Sequence, residues 1–532
     1  MRIPQTMDSG LARRIVAEDV RAAEAEMSGP RPAPRGRGAS RKYLAARPDR
    51  LVGGFDAFGA SSPRAEIRRS IRGLVSHARH GARNIDYLRN FEGMSRRNVV
   101  GLKGIQLAPR PKRPDGSLDV DLKKTVAEAW SKWCETGNAT VCGRLGWWHV
   151  ERMAATMMQR EGNFLLRMRE GPSYGPHGFQ VEPLPLDVVD LDLVQTLSGG
   201  RYIDGGIEFD ARGRPVAVHM WTHHPDDYHG AQRRKRIRVA ARDLIHVYDP
   251  TEPMQALGVP ASHTALRRLN MVGRYEEAAL TAAHYGAANV AAVKREASDE
   301  GPAYDDDGEM PETIEAGMVW ELPPGADLAN WTPNYPDGEM PEFVGHMLRG
   351  GAAGLGVAYS TLAGDLRQAN FSSLRAGLDG ERDGWRDLQR LLFEGMHRPV
   401  FRRWVGLATL TGGLPISPVD IERAEACATW RPRGWPSVNP KDDAAKDDAD
   451  LRNRLRSPSE IAAARGEDFE EIVERLAADI ETLEAAGIPL PEAIAKPKAA
   501  APPVEGEDGA EDPEDADPVQ PGDDGGDGPR ET

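Results

Sequence analysis

The 532-residue sequence lacks several features that mark familiar classes of protein. Its three cysteines, Cys134, Cys142 and Cys427, are too few and odd in number for a disulfide scaffold, and they fit a reducing compartment. No apolar run reaches about eighteen residues, so no membrane span is predicted. The N-terminus lacks the apolar core of a signal peptide. No G-x-x-x-x-G-K-[ST] loop occurs, so ATP hydrolysis by a P-loop is not expected.

A dense basic surface of the kind that grips DNA through its phosphates is also missing. The net charge is −14, and it is unevenly spread. Residues 501–532 carry 12 Asp and Glu against one Arg, whereas residues 1–50 carry 11 Lys and Arg against 6 Asp and Glu. This distribution indicates two solvated tails of opposite charge around a mildly acidic body.

The sequence does contain long segments of helical and strand-like pattern, which predict a mainly helical α+β protein. Residues 1–62 can bury little apolar surface and predict a flexible arm. From Pro63 onward, apolar residues recur at three and four residues with arginines opposite, which is the period of a helix. The residues of this stripe are Ile67, Ile71, Leu74 and Val75. Further helices are predicted near 121–135 and 147–161.

Residues 163–250 show a different pattern, in which short apolar or alternating runs lie between Gly, Pro and Asp turns. They predict the strands of a mixed sheet, with a hairpin turn at 210–215. A helix of about thirty residues is predicted over 261–293, and its small side chains would allow close packing.

The segment 294–336 is rich in Asp, Glu, Pro and Gly and contains one predicted strand, GMVWELP. A helix follows over 337–356, with Asp337 as its expected N-cap. The end of this helix, GGAAGLG, partly imitates a dinucleotide-binding fingerprint but does not open a helix after a strand. It is better interpreted as a weakened helix end where glycine permits an αL cap.

The C-terminal third is predicted to be helical and then unfolded. A long helix over 373–410 should kink or end near Pro399. Two helices are predicted within 451–485, the first capped by Ser457 or Ser459. Residues 495–532 predict a disordered acidic tail.

A short polar stretch between two long helices is the most unusual local feature. It contains Gly364, Asp365, Arg367, Gln368 and Asn370. It offers no nucleophile, base or set of metal ligands. From spacing alone, an exposed helix–helix connection and a binding loop are equally good interpretations.

One histidine-rich segment suggests an alternative function. His223, His224, Asp226, Asp227 and His229 lie within seven residues, and a metal-dependent hydrolase or nuclease could use such a set. Ligands so close along a loop rarely complete a tetrahedral site alone, so a solvated loop is favoured. Isolated histidines such as His246 and His346 are expected to be packed or hydrogen-bonded rather than catalytic.

Five segments, in the same order, resemble the portal proteins of lambda-type tailed phages. They are RNVVGLKGIQL at 97–107, GGIEFDARGRPVAVHMW at 205–221, DLIHVYDPTEPMQALGVP at 243–260, LGVAYSTLAGDLRQANFSSLRAG at 355–377 and PKDDAAKDDADLRNRLRSPSEIAAARGEDFEEI at 440–472. The fourth is the most specific. Leu257 departs from the pattern, because the family usually has arginine there, and any role of that arginine stays unassigned.

The resemblance implies a ring-forming portal fold with wing, stem, clip and crown. The implied parts are a wing at 63–260, stem helices at 261–293 and 337–356, a clip at 294–336, a tunnel loop at 357–372, a long wing helix at 373–410, a crown-like helical region at 411–494 and the acidic tail at 495–532.

The resemblance also implies a function and partners. The protein would form a ring, a dodecamer by the family's usual number, at one vertex of a capsid assembled in the host cytoplasm. Double-stranded DNA would pass through the ring during packaging and ejection. The implied protein partners are the terminase large subunit, head-completion or adaptor proteins, the major capsid protein and scaffold. No enzyme activity, metal or cofactor is expected.

Two sets of residues would carry this function. Gly364, Asp365, Arg367, Gln368 and Asn370 would line the DNA channel, touching phosphates without holding them. The acidic residues of the clip would meet the motor and the adaptors; they are Asp305, Asp306, Asp307, Glu309, Glu312 and Glu315.

Overall fold

The computed structural model describes residues 62–227, 234–287, 291–293, 319–321, 338–367, 370–435 and 439–489. The chain divides into two compact units, one of residues 1–70 with 251–255 and the other of residues 71–250 with 256–532. Within the described ranges, no helix has the length and apolar character needed to cross a membrane.

The first helices follow the predicted pattern closely. They are α1 (Pro63–Asn84), α2 (Asp86–Ser95), a π-helical turn (Arg96–Val100), α3 (Val120–Cys134) and α4 (Trp147–Glu161). Ile71 and Val75 of the predicted stripe are buried. Asp119 caps α3, since its side chain accepts a hydrogen bond from the Leu122 amide at 3.2 Å.

The strands form separate small sheets. They are β1 (Gln106–Leu107), β2 (Asn163–Glu170), β3 (Phe179–Leu184), β4 (Gln195–Thr196), β5 (Tyr202–Asp204), β6 (Ile207–Phe209), β7 (Pro215–Trp221), β8 (Arg236–Ala240), β9 (Leu244–Tyr248), β10 (Ala291–Val293), β11 (Val319–Glu321) and β12 (Trp430–Arg431). The sheet orders are β3-β2-β9, β4-β5-β6-β7-β8, β1-β12 and β10-β11.

The expectation of a mixed sheet over 163–250 was wrong, because both sheets in that region are entirely antiparallel. In the five-stranded sheet each strand pairs with the next along the chain, and strands joined by hairpin connections pair antiparallel, whereas parallel neighbours need a long crossover. The predicted turn at 210–215 is confirmed. Gly213 donates its amide to the Asp210 carbonyl at 3.0 Å, and the Asp210 carboxylate accepts the amides of Arg212 and Arg214.

The second half of the chain is mainly helical. Its helices are α5 (His263–Ala287), α6 (Met340–Leu355), α7 (Tyr359–Ala363), α8 (Phe371–Leu392), a π-helical turn (Phe393–His397), α9 (Arg398–Thr411), α10 (Ile421–Ala426), α11 (Pro440–Arg452), α12 (Pro458–Ala464) and α13 (Phe469–Ala485). The π-helical turn directly precedes Pro399, so the predicted boundary is confirmed. Ser457 caps α12, accepting the Glu460 amide at 3.2 Å.

Two predicted helix limits were wrong. The helix expected over 261–293 ends at Ala287, and Ala291–Val293 instead forms a strand parallel to Val319–Glu321. The stretch 288–293 contains one Asn and two β-branched Val, which are weaker helix formers than Ala. The next helix begins at Met340 with Glu339 at the N-cap position, not Asp337, because Pro341 suits the first turn and fixes the start.

Helices α5 and α6 pack closely because α6 presents glycines to α5. A Cβ atom at Gly351 would lie 2.9 Å from Cδ2 of Leu269, and one at Gly354 would lie 3.0 Å from Oγ1 of Thr264. Thr264 donates its hydroxyl to the Gly354 carbonyl at 3.1 Å. Gly356 ends α6 in the αL conformation (φ 69°), which confirms the predicted cap.

The core of the second unit contains a cluster of tryptophans from α3, α4 and α9. Trp130 packs against Trp133, Trp147 and Trp404 with ring centroids 4.7–6.0 Å apart. Trp133 is fully buried, and its indole N–H donates to the Phe179 carbonyl at 2.9 Å. The cluster thereby joins the helices to the edge of the three-stranded sheet.

A buried carboxyl–imidazole pair lies beside these rings. Nε2 of His397 is 2.8 Å from Oε1 of Glu151, and Nδ1 of His397 is 3.0 Å from the Leu392 carbonyl oxygen. A carbonyl can only accept, so Nδ1 carries a hydrogen. The Ile105 amide donates to both Glu151 oxygens at 3.3 Å. This pair ties α4, the second π-helical turn and the segment before β1 together.

A second polar junction joins β2, β9 and the chain before α5. The Asn163 amide group accepts from the Gly258 N–H at 2.8 Å and donates to the Gly258 carbonyl at 2.9 Å. Nε2 of His246 is 3.0 Å from Oδ1 of Asn163, so His246 is hydrogen-bonded as expected. His346, in contrast, is exposed on α6.

The His246 junction predicts a pH dependence of stability. Burial lowers the pKa of His246 from its usual 6.5 to about 4. The unfolded chain therefore takes up a proton below about pH 6.5 that native His246 does not. The contribution of buried, neutral His246 to the free energy of unfolding is present above about pH 6.5 and is lost as the pH falls toward 4. We expect His246→Gln to flatten the fall in melting temperature between pH 7.5 and pH 4.5. Parallel curves for the two proteins would contradict this.

Candidate nucleic-acid interface

The polar stretch between α6 and α8 is a short helix with turns on either side, not a plain loop. Within the predicted tunnel loop, residues 359–363 form α7 and α8 already begins at Phe371. Ala358 is the N-cap residue of α7, and Gly364 ends it in the αL conformation with φ 67°. A glycine suits that position because side chains disfavour positive φ. The remaining connection is therefore shorter than the sequence suggested.

A buried glutamate fixes α7 to α8. Glu381 accepts hydrogen bonds from the Ala358 amide at 3.2 Å, from the Thr361 hydroxyl at 2.5 Å and from the Trp385 indole at 3.1 Å. The side chain is almost fully buried. A buried carboxylate with three donors is well satisfied, so it holds the start of α7 in one place.

Asn90 of α2 holds the other side of α7. Its side-chain amide donates to the carbonyls of Thr361 and Leu362, both at 3.0 Å. Leu362 is fully buried beneath them. The short helix is thus anchored by two neighbouring helices, and Leu366 and Arg367 after it are exposed to solvent.

Asp365 and Arg367 form a local ion pair at the exposed tip. Nε and an Nη of Arg367 each lie 3.0 Å from an Asp365 carboxylate oxygen, and the Tyr359 hydroxyl donates to Asp365 at 3.0 Å. The Arg367 guanidinium, its backbone N–H and the Tyr359 hydroxyl together hold the pKa of Asp365 well below its usual range. The Arg367 side chain is 79% exposed. The tip is therefore neutral overall, with an accessible guanidinium.

Asn370 has a structural use. Its side-chain oxygen accepts the Ser373 amide at 2.8 Å, and Ser373 Oγ lies 3.2 Å from the Asn370 amide, so the two residues form a capping box at the start of α8. Gln368 lies outside the described residues. Of the five predicted loop residues, the structure thus brings Asp365 and Arg367 together and gives Gly364 and Asn370 roles in ending and starting helices.

The other predicted sites are only partly visible. All six acidic clip residues, Asp305, Asp306, Asp307, Glu309, Glu312 and Glu315, lie outside the described residues, as does His229. Of the histidine-rich segment, His223 lies 3.0 Å from the Thr222 hydroxyl, and His224 Nδ1 accepts the Asp226 amide. Across the described ranges, no group of three or more His, Cys, Asp or Glu side chains could hold a metal ion.

Sequence reasoning missed the residues that position the tip. Asn90 and Glu381 are distant from the tip in sequence. Tyr359 is near it in sequence but is not one of the polar residues that marked the stretch. Glu381 left one signal: it shares the face of α8 that buries Trp385 and Leu388. An acid on an apolar stripe indicates a buried acceptor with donors around it.

Comparison with known proteins identifies the family to which the chain belongs. The family model described as phage portal protein, lambda family, matches residues 53–389. A probable portal protein from Halomonas phage phiHAP-1 is 29% identical over 426 residues, covering 79% of this chain and 82% of that protein. The class is therefore that of phage structural proteins. The chain belongs to the lambda family of phage portal proteins, and its role is that of a phage portal protein.

Solved structures of gene transfer agent (GTA) particles are also similar. The neck of an empty GTA particle, computed with C6 symmetry, is 15% identical, with a TM-score of 0.38; the match covers 74% of this chain and 94% of that one. The neck of a native GTA particle, computed with C12 symmetry, is 15% identical over the same shares, with a TM-score of 0.35. Membership of the portal family leaves the hydrolase or nuclease alternative unsupported. Leu257, the departure from the family pattern, is buried.

Proposed function

We propose that the protein forms a homo-oligomeric ring, a dodecamer by the family's usual number, through which double-stranded DNA enters and leaves a capsid. The observation that carries this is the family match over residues 53–389, which includes the anchored tip at 364–370. The ring would lie at one vertex of a virion assembled in the host cytoplasm.

The parts of the ring are assigned by the family's order. Residues 63–260 form the wing, α5 and α6 the two stem helices with the clip between them at 294–336, and 373–410 a long wing helix. The region 411–494 forms the crown. Glycines of α6 let α5 pack closely against it, which supports the proposal that the two stem helices move as one rigid unit.

Exposed apolar side chains on the stem helices support contact between subunits. Met271 and Leu280 of α5 and Phe343 of α6 are between 47% and 73% exposed in the single chain. Burying such side chains against a neighbouring copy is favourable. The proposed stem faces are thus suited to a ring of identical subunits.

The tip supports a weakly interacting channel lining. Phosphate contacts add up along DNA, so many unpaired cations would hold it and slow transit. Arg367 offers one guanidinium that Asp365 already neutralises. Contacts to phosphate carry no sequence information, as a channel for any genome requires.

The protein partners follow from the same assignment. The acidic clip residues would meet the terminase large subunit during packaging and the head-completion or adaptor proteins afterwards. The wing and crown would meet the major capsid protein and scaffold.

Electron microscopy with sedimentation of the purified protein tests the assembly. We expect closed rings that sediment far faster than a single chain. Monomers alone, across micromolar concentrations and at several salt concentrations, would refute the ring.

The tip is tested by changing its charge. Arg367→Ala should leave the rings assembled, because an exposed side chain contributes little to folding, but should alter packaging or retention of DNA. Asp365→Lys removes the pairing carboxylate and adds a cation in every subunit, so DNA should move more slowly, and more so at low salt. The measurement is packaged DNA length and rate in vitro at two salt concentrations. Arg212→Ala, in an exposed hairpin turn, is the matched control. If both tip variants package and retain DNA like wild type, the tip is only a connection.

A further inference from the structure

Four arginines from three segments come together around Trp435 and Arg433. Arg97 comes from the first π-helical turn, Arg382 and Arg386 from α8, and Arg433 from the segment after β12. The guanidinium carbons of Arg382 and Arg386 lie 5.9 Å and 5.3 Å from the ring centroid of Trp435. We call these four side chains the arginine patch.

The arginine patch is held in place by a partly buried hydrogen-bond network. The Trp435 indole donates to Oδ1 of Asn98 at 2.9 Å, and an Nη of Arg433 lies 3.3 Å from the same oxygen. Arg433 also bonds the Arg97 carbonyl oxygen. Gln389, almost fully buried, donates to the Asn98 carbonyl at 3.1 Å. The cations are therefore set on a fixed surface, which lowers the entropy cost of binding.

The charge of the arginine patch is only half compensated. Asp379 lies 3.4 Å from Arg382, and Asp383 lies 2.5 Å from Arg386. Arg97 and Arg433 bond to no carboxylate in the part of the chain that the structure describes. Burial and the neighbouring cations Arg97 and Arg382 lower the pKa of Arg433. Like charges gathered in this way are costly unless an anion meets them.

The arginine patch adjoins the proposed channel element. An Nη of Arg97 donates to Oδ1 of Asn90 at 3.3 Å, and the amide of Asn90 holds the carbonyls of Thr361 and Leu362. One side chain thus separates Arg97 from α7.

We propose that the arginine patch binds phosphate groups of double-stranded DNA beside the tip, an inference that rests on the proposed portal function. Guanidinium groups suit phosphate because their planar N–H donors match two of its oxygens. Arg97 and Arg433 supply the accessible charge, while Trp435 and Asp383 orient Arg386. The arginine patch thus adds a second point of phosphate contact to that of the tip.

Binding of a mixed-sequence DNA duplex to the assembled protein, measured over a series of salt concentrations, tests the proposal. The double variant Arg97→Ala, Arg433→Ala should bind about tenfold more weakly at low salt. Its log–log salt slope should fall by about one for each phosphate that the variant no longer binds. The double variant Arg144→Ala, Arg212→Ala removes the same charge from exposed sites elsewhere and should bind like wild type.

Two further variants keep the result interpretable. Arg433 donates a hydrogen bond to a backbone carbonyl, so replacing it removes a structural contact as well as a charge. The melting temperature of the double variant therefore shows whether it still folds. Arg97→Ala alone removes a single side-chain hydrogen bond, the one to Asn90, and should still weaken binding. Lysine at both positions should restore part of the affinity, since lysine keeps the charge but not the planar donors.

Three outcomes overturn the proposal. Equal affinity and slope for the double variant and wild type would do so. So would an equal loss of affinity in the Arg144, Arg212 control. If a peptide of residues 501–532 binds wild type but not the double variant, while DNA binds both alike, the occupant is the acidic tail and not DNA. In each case, the proposed portal function is retained if the variant still assembles into rings and packages DNA. If the wild-type protein forms no rings, the proposed function itself is refuted.

Discussion

Replacing Gly258 with alanine is expected to lower the free energy of unfolding by about 3 kcal/mol. A Cβ atom at this position would lie 1.9 Å from the Gly162 carbonyl oxygen and 2.8 Å from Cβ of Tyr248. Backbone cannot move aside as a flexible side chain can, so the two chain segments must separate. Separation also breaks the paired hydrogen bonds between Asn163 and Gly258.

Chemical denaturation of the variant measures this loss of stability. Gly380→Ala on α8 is the matched control, since its Cβ would meet no atom within 4 Å in the described part of the chain. That change should be neutral or slightly stabilising, because alanine is the better helix former. Equal stability for the Gly258 variant and wild type would mean that the β2–α5 junction is not closely packed in solution.

Removing the carboxyl group of Glu151 is expected to have an effect of similar or larger size, about 3–5 kcal/mol. Glu151→Ala leaves Nε2 of His397 without its hydrogen-bond partner and the Ile105 amide without its acceptor in a buried site. Trp147 and Trp430 pack their rings edge-on to the imidazole, but an indole N–H can only donate, so neither ring can accept the Ile105 amide.

Two variants separate the loss of this buried pair from the loss of a carboxyl group as such. Glu135→Ala, which removes an exposed carboxylate after α3, should change stability by no more than about 0.5 kcal/mol. Glu151→Leu combined with His397→Leu should cost less than the sum of the single changes, because neither partner of the pair is left buried without the other. Additive losses would show that the two side chains are not coupled.

Most helices could be predicted from periodicity alone, and the reason is visible in their burial. Ile71 and Val75 of α1 repeat at the helical period and are both buried, so local pattern and packing agree. Predictions were wrong where a distant segment decides the structure. Ala291–Val293 continues a run of small residues but pairs with Val319–Glu321, a partner that no local pattern reveals.

The candidate interface could be predicted only at its tip. Polar residues between two apolar helices marked Asp365 and Arg367. The contacts that position them come from Asn90, 271 residues before Thr361, and from Glu381 on the following helix. The arginine patch was missed for the same reason, because Arg97 and Arg433 are 336 residues apart in sequence. Single charges far apart in a chain show no pattern until the fold unites them.

The second π-helical turn has a consequence for how the chain can vary. Leu388, Leu392, Met396, Val400, Trp404 and Ala408 recur every fourth residue and are all buried. On a regular α-helix a step of four advances the stripe by about 40°, so the six residues could not share one face. The wider turn at Phe393–His397 accommodates one extra residue and so absorbs part of that advance. Inserting one residue into an α-helix produces a turn of this kind. A relative that lacks one residue between Leu392 and Arg398 can therefore keep the same buried residues, with an ordinary α-helical turn in place of the wide one.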